Sequence, residues 1–387
     1  MKTPYFIIDE QELDKNIGDF SSALKVNWPN SRLAYSVKTN SHPWIVGHVR
    51  EKGCMGEVVS SEELTIARLC GYDYGDIIYN GPIKDEDSFV AAAKEGAIVN
   101  IDSQRELRYI KIHDLKNHTN IGLRVNLDLT HDCPDDIGYH DDGFRFGFSE
   151  TNGELEKAVG VLRSNGIEHF GLHFHCNSIT RAVEVYESIA RHAVDIVEKF
   201  NLVPSFIDMG GGFFGGVPGK PSADEYLKRI SIILKKALDT AYTKLFIEPG
   251  SAIIASPVEF VTSVLDVKDT AKARIVTTDG SRINIDPLWC RKKYLCSYRS
   301  SGQIMHRKQI VCGYTCMDHD RIMEIENAPE LSEGDEIIYQ KIGAYSMTFG
   351  GPFIRFFPEV YVRKGDEIQK VRSYMDAKEY IKMHSEI

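Results

Sequence analysis

The sequence predicts an α/β chain, a (β/α)8 barrel followed by a smaller antiparallel β-domain. Three observations predict it. Eight short apolar runs alternate with amphipathic helical stretches over roughly 220 residues, the rhythm of a barrel. After Pro257 the long helices stop and strand-like runs follow one another. The 387 residues are more than one core ordinarily holds, so a barrel with an appendage is favoured.

The elements follow in order. Phe6-Ile-Ile-Asp reads as a strand, and Glu10 to about Leu24 carries Leu13, Ile17, Phe20 and Leu24 at helical spacing. The barrel strands are expected at Leu33–Val37, Gly56–Val59, Ile77–Tyr79, Ala97–Ile101, Ile121–Val125, Phe170–Phe174, Ser205–Met209 and Leu245–Ile247. Helical stretches fall between them at Ser61–Leu69, Asp85–Lys94, Gln104–Leu115, Gly153–Ser164, Ala182–Phe200 and Ala223–Ala241. An open doubly wound sheet fits less well, because it would want a glycine-rich turn after its first strand. Beyond Pro257 the strand-like runs are Val258–Val267, Ala273–Thr278, Gln309–Gly313, Glu336–Gln340 and Pro358–Val362. The expected division is a barrel over 14–256 and a β-sandwich or β-barrel over 1–13 and 257–387, with the N-terminal strand joining the latter. Residues 130–144 and 287–305 read as long irregular stretches.

Composition narrows the function. A net charge of -10 gives no basic face for nucleic acid or an anionic membrane. No apolar run approaches the roughly 20 residues that span a bilayer, and the N-terminus does not read as a signal peptide. A cytoplasmic location is expected. Eight cysteines in such a chain read as reduced thiols, and Cys290, Cys296, Cys312 and Cys316 lack zinc-knuckle spacing. No metal is expected.

In Leu33-Ala-Tyr-Ser-Val-Lys-Thr-Asn40 an apolar run delivers one lysine to a strand end, where Thr39-Asn40-Ser41-His42-Pro43 makes a polar turn. Lys38 there is either a snorkelling side chain or a desolvated amine nucleophile. The other strand ends decide for the second. They carry Glu57 with Ser60, Asn80, Asp102, Arg124, His175 with Ser178, Gly210-Gly211-Gly212, and Glu248. In a barrel such groups gather on one rim. Successive glycines let backbone amides point at an anion, so the glycine run is either an anion-binding loop or merely a flexible turn.

Tyr35-Ser-Val-Lys-Thr-Asn, Gly56-Glu-Val-Val-Ser, Phe144-Arg-Phe-Gly-Phe, Gly171-Leu-His-Phe-His-Cys-Asn-Ser, Asp208-Met-Gly-Gly-Gly-Phe, Glu248-Pro-Gly, Gly313-Tyr-Thr-Cys and Gly343-Ala-Tyr stand in one order along the chain. Together they resemble the pyridoxal-phosphate decarboxylases of the alanine-racemase-like fold, the diaminopimelate, ornithine and arginine decarboxylase group. The resemblance implies pyridoxal 5'-phosphate as cofactor, joined covalently to Lys38. It implies that Glu248 keeps the pyridine nitrogen protonated and that the glycine run, Ser178 and Tyr345 hold the phosphate. His175 is implied to stack on the ring. His173 is assigned the opposite strand face and a packing role. Glu57, Arg124 and Gly250 match further cofactor positions, and Arg145 stands where relatives often have lysine. Cys316 is implied to protonate the product across a homodimer interface, giving active sites shared between subunits. A racemase or aldolase of the same fold would leave Cys316 without a task, and a silent regulatory relative would need neither Lys38 nor Glu248.

The chain also departs from that group. Ser251 follows Glu-Pro-Gly where most relatives have arginine. Met317, followed by Asp318, replaces the acidic residue after the cysteine. Asp286-Pro287 replaces an arginine-proline pair. The substrate is therefore expected to be an amino-acid-like molecule other than diaminopimelate or ornithine, a precursor of a siderophore, antibiotic, polyamine or modified amino acid. Met317, Asp318, Asp286, Arg282 and Arg291 are the candidate substrate residues. Arg291-Lys292-Lys293-Tyr294 could receive an anionic substrate or be a solvated basic loop. His131 to Asp142 has metal-ligand residue types at no recognisable spacing and reads as a mobile lid.

Overall fold

The computed structural model describes residues 1–385 apart from 117–119, 139–141, 177, 292 and 306. Those positions include parts of the insertion, Asn177 of the histidine motif and Lys292 of the basic cluster. The chain divides into two compact units, residues 16–253 and residues 1–15 with 254–387.

In the larger unit, the helices and strands alternate as the hydrophobic rhythm requires. After β1 (Tyr5–Asp9) come α1 (Glu10–Asn27), β2 (Ser31–Ser36), α2 (Pro43–Glu51), β3 (Met55–Val58), α3 (Ser61–Leu69), β4 (Ile77–Tyr79), α4 (Glu86–Lys94), β5 (Ile98–Ile101) and α5 (Gln104–Ile112). Then follow β6 (Ile121–Asn126), β7 (Phe148–Ser149), α6 (Glu154–Ser164), β8 (Gly171–Phe174), α7 (Val183–Lys199), β9 (Phe206–Asp208), α8 (Ala223–Leu234) and β10 (Lys244–Ile247). Every pairing from β2 through β3, β4, β5, β6, β8 and β9 to β10 is parallel, and β10 pairs back on β2. Eight strands thus close a barrel.

Serines start three of the helices. Ser60, Ser103 and Ser222 each accept a hydrogen bond from the amide three residues on, where a glutamate stands. Ser60 is therefore a helix cap rather than a rim group. The turn read at 39–43 leads into a helix, α2: Pro43 occupies its first turn and His42 Nδ1 accepts from the Trp44 amide.

Side chains of alternate residues fill the barrel. Ala34, Met55, Ile78, Ile98, Phe206 and Phe246 form a buried apolar floor. Gly122 and Gly171 leave room for the Phe206 ring, which a Cβ at either would meet at 2.8 and 2.2 Å. Each large side chain on this floor contributes about 1.5–3 kcal/mol by leaving water. The floor seals one end, so polar groups collect at the other.

In the smaller unit β1 lies between Val258–Asp269, antiparallel, and Glu359–Lys364, parallel, in a nine-stranded, mostly antiparallel sheet. The N-terminal strand is thus part of the β-domain. Cys296–Arg299, inside the stretch read as irregular, pairs with Glu336–Tyr339. Arg321–Ile325 and Glu367–Arg372 are further strands that the sequence reading left out, the latter a charged hairpin partner of Glu359–Lys364. In Glu367–Arg372 the few apolar residues give weak alternation, and pairing rather than burial makes it a strand. Among the described residues no helix is long and apolar enough to cross a membrane.

Candidate active site

Two residues further along each strand from the floor, toward its C-terminal end, lies a second, polar layer. Ser36, Glu57, Asn80, Asn100, Arg124, His173, Asp208 and Glu248 supply it, one from each strand or the residue just past it, and all are buried. Buried polar groups must find partners, and here they find mainly each other. Ser36 Oγ donates to Glu57 Oε2 at 2.5 Å, and Lys38 Nζ lies 2.9 Å from Ser36 Oγ and 2.8 Å from Glu57 Oε2. Asn80 Nδ2 donates to Glu57 Oε1 at 3.1 Å and to Glu248 Oε1 at 2.6 Å, while Asn100 Nδ2 donates to Asn80 Oδ1 at 2.8 Å. One chain of hydrogen bonds therefore joins the lysine to the glutamate on the closing strand.

Lys38 itself sits on a single 3-10 turn, Val37–Thr39, at the end of β2. Gly250 is what allows the Glu248-Pro249-Gly250 turn to pass this close: a Cβ there would stand 1.9 Å from Thr39 Oγ1. The glycine run is similarly forced. Gly210 (φ +64°) and Gly211 would place a Cβ 2.7 Å from His175 Nδ1 and 2.4 Å from the Glu248 carbonyl oxygen. Two of its amides are already engaged, Gly210 N with Asp208 Oδ1 at 2.9 Å and Gly211 N with His175 Nδ1 at 3.1 Å. An anion at this loop is left the amides from Gly212 onward.

Charge is unevenly shared across the layer. Burial and the neighbouring Glu248 charge push the Asp208 carboxyl well above the usual range, so it keeps its proton. Burial opposes ionisation of Glu248 too, but the His173 ring, 3.6 Å away, and the hydrogen bond from Asp208 outweigh it and hold Glu248 ionised. The two carboxyls thus carry one proton between them. His175 is pushed down to about 3 by burial, then by the charges of Arg124 and Lys38. Its ring is neutral, as accepting from the Gly211 amide requires. His173, Asp208 and Glu248 bring three ligand-type atoms within 4.8 Å of one another.

His173 corrects the sequence reading. Residues two apart on a strand share a face, so His173 and His175 both point inward, the first against Glu248 and the second against the glycine loop. Asp208, Asn100 and Ser36 were missed altogether, although each lies two residues beyond a floor position. A second support was missed as well. Lys84 and Glu106, both buried, pair at 3.1 Å, and Glu106 Oε2 accepts from the Asp102 amide at 2.8 Å. Asp102 in turn accepts from Arg124 Nη1 at 2.9 Å and the Gly147 amide at 3.0 Å. Arg124 also lies over the Phe146 ring, 4.5 Å from its centroid, and the Arg145 guanidinium is 3.9 Å from the same ring.

Ser178 Oγ accepts from the Arg181 amide at 2.8 Å, and its backbone bridges to Ile137 in the insertion. The described part of that insertion is anchored rather than a free lid. Asp136 accepts from the Ile179 amide and the Thr180 hydroxyl, and Asp132 accepts from Ser188 Oγ and contacts His192.

The remaining sequence-predicted residues belong to the smaller unit. Cys316 is exposed and Met317 partly so. Asp318 is turned outward to Arg321 at 3.1 Å. Asp286 is buried and saturated by Arg282 Nη2, the Tyr294 hydroxyl and the amides of Arg291 and Cys290. Arg282 also donates to the Arg291 carbonyl at 2.6 Å. Asp286 and Arg282 therefore hold their own loop, which corrects their reading as substrate contacts. Tyr345 adopts φ 55° and is 40% exposed.

The family described as pyridoxal-dependent decarboxylase, pyridoxal binding domain, matches residues 11–255. The chain is 24% identical over 401 residues to the probable chloroplastic diaminopimelate decarboxylase of Oryza sativa subsp. japonica, covering 98% of this chain and 79% of that protein. It is 25% identical over 372 residues to the L-glutamyl-(BtrI acyl-carrier protein) decarboxylase of Niallia circulans, covering 90% and 85%. Among solved structures, diaminopimelate decarboxylase from M. jannaschii in complex with L-lysine superposes with a TM-score of 0.85 at 19% identity, over 98% of this chain and 91% of that one.

Proposed function

Because the chain belongs to the pyridoxal-dependent decarboxylases, we propose that it removes the carboxylate alpha to the amine of an amino-acid-like substrate at a site built around Lys38. The chain is a carboxy-lyase that uses pyridoxal 5'-phosphate. The single observation that carries the assignment of the site is the hydrogen-bonded chain Lys38–Glu57–Asn80–Glu248 on the polar layer. The residues fit the cofactor. Among the described residues Asn100 Oδ1 and Arg124 Nε are buried without a hydrogen-bond partner, and the glycine loop has no room for side chains.

When bound, the cofactor supplies a protonated pyridine ring that takes up the electron pair released as the carboxylate departs as carbon dioxide. Lys38 is the residue that would hold its aldehyde covalently. The amine must shed a proton to do so, and Glu57 Oε2 at 2.8 Å is placed to take it. Glu248, kept ionised, is the residue that would keep the ring nitrogen charged. The neutral His175 would lie flat against the ring, and Ser178 with the amides from Gly212 onward would bind the phosphate. Cys316 is proposed as the donor that returns a proton to the substrate carbon, from a second copy of the chain in a homodimer. Tyr345 is proposed to reach the phosphate by the same route.

The substrate's far end is proposed to differ from that of diaminopimelate and ornithine. Met317 offers no charge to a distal ammonium, and the nearby carboxylates of Asp318 and Asp286 are engaged with Arg321 and Arg282. The Niallia circulans relative, named for a glutamyl group on a carrier protein, shows that the family reaches beyond free amino acids. Arg291 remains a candidate contact for an anionic group.

Carbon dioxide release from meso-diaminopimelate, ornithine, lysine, arginine and N-acylated or carrier-linked glutamate tests both levels. Fast turnover of meso-diaminopimelate alone would refute the substrate reading and leave the decarboxylase intact. Borohydride reduction followed by peptide mass spectrometry tests the site, and a cofactor label on any residue but Lys38 would overturn it.

A further inference from the structure

Position 251 carries serine where the family resemblance leads one to expect arginine, so the phosphate end of the glycine loop receives no cation from that strand end. Another loop brings one. Arg181, between β8 and α7, donates from Nη1 to Ser251 Oγ at 3.2 Å and lies 3.5 Å from the carbonyl oxygen of Phe213, the residue after the glycine run.

The arginine is held there from several sides. Its backbone is left-handed, φ 55°, an unusual conformation for a residue with a side chain. The Ser178 hydroxyl accepts from its amide at 2.8 Å, and the Tyr226 hydroxyl donates to its carbonyl at 2.6 Å. Phe213 is in turn fixed by a stack on Tyr186, with centroids 4.4 Å apart, and by an edge contact with Tyr226. Glu184 and Glu225 line the cleft beside the guanidinium, but among the described residues no carboxylate pairs with it. A guanidinium has five donors in a planar fork that matches a phosphate, and Ser251 and Phe213 engage only one nitrogen.

We propose that Arg181 binds the cofactor's phosphate, supplying from a neighbouring loop the charge that serine at 251 leaves out, with Ser251 as its positioning residue. The inference rests on the pyridoxal-phosphate reading of the site. It also accounts for Ser178, whose hydroxyl sets the turn that aims Arg181.

Comparing pyridoxal 5'-phosphate with pyridoxal, which lacks the phosphate, isolates the effect. Dissociation constants of both are measured by absorbance on the full chain, its Arg181→Gln and Arg181→Lys variants, and the double variant Arg181→Gln with Ser251→Arg. Arg181→Gln should weaken the phosphorylated form about tenfold to a hundredfold, as expected for loss of a charge-assisted pair, and leave pyridoxal unchanged. Arg181→Lys should lose less, and the double variant should recover most of the loss. An Arg181→Gln protein that keeps the parent's preference for the phosphorylated form overturns the proposal. So does one that weakens both forms equally, since the arginine then only supports the loop. A parent protein that binds neither form overturns the reading of the site instead.

Discussion

The polar end of the barrel and the loops around residues 280–320 of the β-domain both bury carboxylates, and they treat them in opposite ways. In the β-domain Asp286 has four donors and Asp320 accepts from Ser281 Oγ, Thr315 Oγ1 and the amides of Arg282 and Thr315. Gly313 is required beside Asp320, because a Cβ would stand 2.1 Å from Oδ2. These carboxylates are satisfied within their own loops, and they fix the backbone on which Cys316 is exposed. In the barrel, among the described residues, Asn100 leaves its Oδ1 and Arg124 its Nε without a hydrogen-bond partner. Unpaired buried groups cost stability. The satisfied carboxylates hold a shape, whereas the barrel layer, with its shared proton and its open Arg124 Nε, is the region we propose receives the ligand.

The contrast can be broken most decisively at Lys38. Lys38→Ala should abolish covalent retention of the cofactor and lower carbon dioxide release by several orders of magnitude. Retained turnover would remove the barrel's claim to the chemistry. Next in size, Cys316→Ala should lower turnover by about 10²–10⁴-fold without weakening cofactor binding, since that side chain is exposed and its loop is held by Asp320. A drop in stability instead would make the thiol a packing group.

Substituting the two kinds of carboxylate sharpens the comparison further. Asp286→Ala leaves the half-buried Arg282, the Tyr294 hydroxyl and two amides without their acceptor and should destabilise the protein by about 1–3 kcal/mol, read from denaturant unfolding. Asp208→Asn exchanges an already protonated acid for a neutral isostere and should cost less than about 1 kcal/mol, while reducing cofactor-dependent activity. Equal destabilisation by the two would erase the distinction.

The smallest effect expected concerns the insertion. The His192 ring is raised above its ordinary value by its hydrogen bond to Glu150, against a burial effect that lowers it, and by its contact with Asp132. Because the folded value is raised, the anchoring is complete below the unfolded value of about 6.5 and fades as pH climbs through the folded value. Hydrogen exchange of residues 130–138 should therefore accelerate, beyond its intrinsic pH dependence, as pH rises above about 6.5 and passes through the raised folded value. His192→Gln should flatten that extra rise, and an unchanged profile would show that Ser188 alone holds Asp132.

Much of this molecule was legible from spacing alone. Alternating apolar runs specified the barrel strands to within a residue or two, and the change of rhythm after Pro257 marked the β-domain, because both follow from local periodicity and burial. The strand ends named Lys38, Glu57, Arg124, His175 and Glu248, and the structure places all five in the barrel unit. Strict period-two counting from the floor would also have named Ser36, Asn100, His173 and Asp208, and His173 was misassigned only because that rule was applied to the wrong parity.

Other features lay beyond any local signal. Nothing near Asp286 in the chain says that four donors converge on it, nothing near Asp132 says that Ser188 and His192 hold it, and nothing in Ser251 points to an arginine seventy residues earlier. What the sequence determined by itself was which residues could reach the barrel's polar end, since period and strand order depend on neighbours along the chain. Which of them carry a proton, which are already satisfied and where the missing cation comes from was decided by tertiary structure, because Coulomb energy and hydrogen bonding depend on distances between side chains far apart in sequence.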